Sequence, residues 1–191
     1  MSLDVFLRKY NNIDPYFKTI KSSFGLYTFT FKLDECRFAV SDFLNQNSLY
    51  LYTFNESTKN YESRLISRNA HCRVIVKVVL LSNDRIASLS EENVLKISNI
   101  NPNQNPSLIT KMNIRGETVE SIYYMKEKDV LLTFSKNHSI IKYDMKTYQF
   151  ITVISLFDYS AYMKLDKNRV IITDGYYIYI LNVDTTRISN K

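Results

Sequence analysis

The stretch Val119-Glu120-Ser121-Ile122-Tyr123-Tyr124-Met125, Lys126-Glu127-Lys128-Asp129, Val130-Leu131-Leu132-Thr133-Phe134-Ser135 carries straight on into Ser139-Ile140-Ile141-Lys142-Tyr143-Asp144. Three short runs rich in β-branched and aromatic residues are separated by two polar turns, the pattern of an antiparallel meander. The same arrangement recurs three more times along the chain. In the first copy Leu26–Lys32 leads through Leu33-Asp34-Glu35-Cys36-Arg37 to Phe38–Ser41 and Ser48–Phe54. In the second, Val74–Leu81 leads through Ser82-Asn83-Asp84-Arg85 to Ile86–Ser90 and Asn93–Ser98. In the fourth, Ser160–Leu165 leads through Asp166-Lys167-Asn168-Arg169 to Val170–Thr173 and Tyr176–Val183. Equivalent turn ends fall at Arg37, Arg85, Asp129 and Arg169.

Between the triplets stand further apolar stretches, Tyr61–Ile66, Leu108–Ile114 and Phe150–Leu156, each placed to be a fourth, outer strand. Four strands repeated at a period of 40 to 50 residues predict propeller blades, because a sandwich has no reason to repeat in sets of four. The expected class is therefore all-β, with about four four-stranded blades of a β-propeller over 22–66, 72–114, 117–156 and 160–186.

The second-strand, polar-turn, third-strand run Leu131–Asp144 resembles a WD40 repeat, with Tyr143-Asp144 where that family places Trp-Asp. The resemblance covers about residues 22–186. The chain has no Trp, the other copies end in Tyr-Thr, Ile-Ser and Leu-Asn, and His71 and Gly116 each supply half of the family's Gly-His pair. The likeness therefore extends to the four-stranded blade more than to the family's buried hydrogen-bonded tetrad. It implies a scaffold that holds a protein partner.

Residues 184–191 read as too short and polar for an outer strand, so Tyr16–Ile20 is expected to pair with the third strand of the last blade and close a ring. Alternatively the blades form part of a larger ring completed by a second copy or another chain. Residues 1–15 form a separate N-terminal segment, in which Leu3, Phe6, Leu7 and Tyr10 would share one face of a short helix capped by Ser2.

Composition narrows the function. No apolar run approaches the roughly 18 residues of a membrane helix, and no signal-like leader opens the chain, so a cytoplasmic protein is expected. The two cysteines, Cys36 and Cys72, read as reduced core thiols. With two His and two Cys far apart in sequence, no zinc spacing exists, and neither metal nor cofactor is expected. Three Gly leave nothing to build a phosphate loop, a dinucleotide fingerprint or a nucleophile elbow, so no catalytic residue is assigned and the chain is read as non-enzymatic. A hydrolase of rim-carboxylate type, using Asp42, Glu91, Glu92 or Asp174, is the third reading, set against the ordinary use of acids as turn residues.

A net charge of +6 favours anionic partners. The densest basic stretch, Arg64, Arg68, His71, Arg73 and Lys77, joins the first two blades and is the candidate binding site for a phosphorylated or polyanionic ligand. Its plainer reading is a solvated loop with His71 as a hydrogen-bonding loop residue. A nucleic-acid surface would interleave aromatic platforms with the basic groups, and this stretch has Tyr61 alone, so nucleic acid is not an expected partner. The 15 Tyr suit either a partner surface or the layers between blades.

Overall fold

The computed structural model describes residues 28–42, 47–114, 118–155, 161–173 and 176–190, and among them there are sixteen strands and no helix. They form four antiparallel four-stranded sheets, each made of four consecutive strands in sequence order. Sheet I contains β1 (Thr28–Lys32), β2 (Arg37–Asp42), β3 (Ser48–Asn55) and β4 (Asn60–Ser67). Sheet II contains β5 (Ile75–Leu81), β6 (Arg85–Ser90), β7 (Val94–Asn99) and β8 (Ser107–Asn113). Sheet III contains β9 (Val119–Met125), β10 (Val130–Ser135), β11 (Ser139–Asp144) and β12 (Gln149–Ser155). Sheet IV contains β13 (Ala161–Lys164), β14 (Arg169–Thr173), β15 (Ile178–Asn182) and β16 (Arg187–Asn190).

The strand β16 corrects the expectation that residues after Val183 are too short to pair. Ile188 lies opposite Leu181 and packs on the apolar core of its unit, so one well-placed apolar residue holds a strand of otherwise polar composition. The edge of β15 expected for Tyr16–Ile20 is thereby taken by the chain's own C-terminal strand. Residues 16–20, like the helix expected within 1–15, lie outside the described residues.

The chain divides into two compact units, 1–113 and 114–191. In the first, Ala39, Leu49 and Leu51 of sheet I form a core with Ile75, Val78 and Ile86 of sheet II. Arg64 of β4 donates from a guanidinium nitrogen to the Asn101 carbonyl at 2.8 Å, and Arg37 lies 3.7 Å from the Asp84 carboxylate, so polar contacts also join the two sheets. In the second unit, Met125, Leu132 and Phe134 of sheet III meet Val170, Ile172 and Leu181 of sheet IV. Tyr162 stacks on Phe134 with ring centroids 3.8 Å apart, and its hydroxyl donates to Ser121 Oγ. Tyr123 and Tyr179 pack on the same core, so several of the tyrosines serve layers between sheets.

With so few glycines, side chains shape the turns. Asn55, Asp144 and Asn182 each accept, through Oδ1, the backbone N–H groups two and three residues on. The residue that follows, Lys59, Tyr148 or Thr186, then has φ of 53, 59 or 55°. This left-handed conformation normally falls to Gly or Asn. The turns ending at Arg37 and Arg169 are alike in a second way. Asp34 and Asp166 accept a backbone N–H and also pair with the Arg three residues on, at 2.7 and 2.6 Å.

Candidate functional site

The basic stretch read from the sequence runs from β4 through the β4–β5 loop into β5. Its members do not converge. Arg64 is half-buried, and one nitrogen of its guanidinium is turned onto the Asn101 and Ile100 carbonyls. Lys77 is half-buried on β5. Arg68 and Arg73 are exposed on the loop, and they are the members open to a ligand.

His71 is buried, with only 2% of its surface exposed. Its Nε2 lies 2.9 Å from Ser88 Oγ on β6, and its Nδ1 lies 3.4 Å from Glu92 Oε1 in the β6–β7 turn. A carboxylate beside Nδ1 favours the proton on that nitrogen, which leaves Nε2 to accept from the Ser88 hydroxyl. Burial, reinforced by the positive charge of Lys96, pushes the His71 pKa down to about 4 against the opposing pull of Glu92, so the imidazole is neutral at pH 7. For Glu92, burial opposes ionisation, but bonds from the Cys72 N–H, the Ser90 hydroxyl and His71 outweigh it and hold the carboxyl below its ordinary value. The loop is tied back further by Asn47, whose side-chain amide donates to the His71 carbonyl at 3.0 Å.

Neither cysteine is in the core. Cys36 is exposed in the β1–β2 turn and Cys72 is exposed in the β4–β5 loop, both free thiols. Each backbone N–H serves a carboxylate, Asp34 for Cys36 and Glu92 for Cys72, and that bonding holds the residue in a surface turn. Of the four acids weighed for rim chemistry, Asp42 is buried, Glu91 is exposed, and Glu92 belongs to the histidine network. Asp174 lies outside the described residues. Ser88 and Lys96 did not stand out in the sequence. The available signal was a hydroxyl in the second strand and a basic residue opposite it in the third, since Ser88 and Lys96 are register partners.

Lys96 also lines a cleft of about 160 Å³ in the first unit. Its ammonium donates to the Ala70 carbonyl. Ser67 of β4, Ser88 of β6, Ser98 of β7 and Ser107 of β8 contribute to the same walls, with no carboxylate among the lining residues.

No curated protein matches the chain. A family model matches residues 39–190 with no WD40-repeat match beside it, and on the strength of that span the chain belongs to DUF5711, a family of unknown function.

Proposed function

We propose that the chain is a non-enzymatic protein-interaction module whose four sheets are blades of a WD40-like β-propeller. Three features support the blade arrangement. Each sheet is a sequential four-stranded meander. Within each unit the two sheets share one apolar core. In sheet II, His71, Ser88 and Glu92 occupy the loop, second-strand and turn positions of a buried hydrogen-bonded network, the kind of tetrad the resembled family builds. The outward side of sheet IV exposes Met163 at 61% and Ile178 at 50%, which favours a ring continued by a second copy over one closed by this chain alone.

The observation that carries the interaction reading is the outer strand β12, Gln149-Phe150-Ile151-Thr152-Val153-Ile154-Ser155. Every other edge strand carries a charge: Lys32, Glu62 with Arg64, Lys77, Lys111, Glu120, Lys164 and Arg187. Charged residues on an edge discourage pairing with another chain, and β12 has none. Phe150, Ile151 and Val153 are each more than two-fifths exposed. An extended apolar segment of a partner would add to this edge by backbone pairing, with its side chains meeting those three.

The test compares capture from a cell extract by the immobilised wild-type chain and by the Phe150→Lys/Val153→Lys variant, both verified folded by circular dichroism. A protein held by the first and lost from the second supports the reading. Identical capture by both, or no capture by either, refutes it.

A second reading rests on Arg68 and Arg73, both exposed on one loop: this rim would hold a polyanionic surface. Binding of heparin, used as a model polyanion, would then weaken steeply between 50 and 200 mM salt and be lost in Arg68→Ala/Arg73→Ala, whereas binding indifferent to salt would exclude it.

A further inference from the structure

We infer that the cleft of the first unit is a binding site for a small tetrahedral oxyanion, of the class of inorganic phosphate or a phosphomonoester, anchored by Lys96. The inference does not depend on the partner reading, which concerns a different surface.

The argument begins with charge. Lys96 is the one charged residue among those lining the cleft. An ammonium has three N–H groups, and one of them donates to the Ala70 carbonyl. No other acceptor among the described residues takes the remaining two. A half-buried cation with spare donors and no carboxylate at hand favours an anion, and it repels metal ions.

Two of the four serine hydroxyls, those of Ser98 and Ser107, supply the rest of a donor set. Ser67 Oγ already donates to the Arg68 carbonyl and Ser88 Oγ to His71 Nε2, so these two line the walls with their protons spent. Ser98 and Ser107 have side chains without a hydrogen-bond partner among the described residues, although Ser98 is only 7% exposed. A volume of about 160 Å³ suits a phosphate with a few waters and is too small for a nucleotide.

Topology gathers these groups. Ser98 follows Lys96 by two residues on β7, and a break in register beside Ser98 sets it opposite Leu108, directly after Ser107 on β8. Ser67 arrives from β4 of the other sheet of the pair. The donors stand on sheet II, and packing sheet I against it walls the cleft around them.

The experiment is a titration of the full chain with sodium phosphate and with glycerol phosphate at constant ionic strength, followed by amide NMR, with sodium chloride as the control. Saturable shifts centred on residues 96, 98 and 107 are expected with phosphate and absent with chloride. Equal affinity for both ligands would identify free phosphate as the occupant, and tighter binding of the ester would identify a phosphorylated metabolite. Lys96→Met is expected to weaken binding at least tenfold. Ser98→Ala/Ser107→Ala removes only unbonded hydroxyls, so it leaves the fold intact and is expected to weaken binding several-fold. Absence of saturation, or shifts centred on Arg68 and Arg73 that persist unchanged in the serine variant, would overturn the assignment.

Discussion

At the scale of single residues, the buried His71 makes stability depend on pH. Its folded-state pKa of about 4 lies below the ordinary 6.5. The unfolded chain therefore takes up the proton first as pH falls, and the stabilisation present above 6.5 is lost progressively down to about 4. The full loss is roughly 3 kcal/mol at about 1.4 kcal/mol per pH unit. Urea unfolding at pH 7 and pH 5 is expected to show a clear drop for the wild type and little change for His71→Gln. A drop of equal size in both would assign the effect elsewhere. Thr186 offers the converse case, a β-branched residue held at φ 55°. Relief of that strain exceeds the chain-entropy cost of glycine, so Thr186→Gly should raise stability by about 0.5–1 kcal/mol, read as a higher urea midpoint. The composition called for non-glycine turns, but it did not say that threonine would take this one, because propensity at a turn is overridden by the two backbone bonds to Asn182 that shape it.

At the scale of elements, strands were legible because alternation and turn chemistry agreed. Val119–Met125, Val130–Ser135 and Ser139–Asp144 are strands over the same residues in sequence and structure. The miss was β16, where the local sequence Arg187-Ile188-Ser189-Asn190 is polar and only the pairing with β15 makes a strand. The recurring Asn or Asp, followed three residues on by Thr, at Asn55, Asp144 and Asn182 was a legible signal for the outer hairpins. Asp144→Ala removes the carboxylate that accepts two backbone N–H groups of such a turn and is expected to cost about 1–2 kcal/mol, measured by denaturant unfolding. The exposed strand β12 should behave as an edge in isolation: Ile151→Lys is expected to raise the concentration at which the purified chain aggregates, and an unchanged threshold would count against that.

At the scale of the whole molecule, the repeat decided the architecture that could be read, four successive four-stranded sheets. The site was less legible. Sequence proximity grouped Arg64, Arg68, His71, Arg73 and Lys77, whereas folding turned Arg64 onto backbone carbonyls and buried His71. The cleft around Lys96 joins residues from β3 to β8, a set that no local window contains. If a second copy continues the ring at sheet IV, light scattering should give a mass above the 22.5 kDa of one chain. Met163→Lys/Ile178→Lys should return it to that value, while a wild-type monomer at all concentrations would exclude the continued ring.

The placement of Cys72 gives the molecule a built-in reporter. Its thiol is free and open to solvent, while its amide is bonded to the carboxylate that faces His71. A fluorophore attached there would sit one hydrogen bond from the histidine network. Its emission would follow the protonation of a side chain that solvent barely touches, and Cys36, exposed in the β1–β2 turn, would carry the matching reference dye.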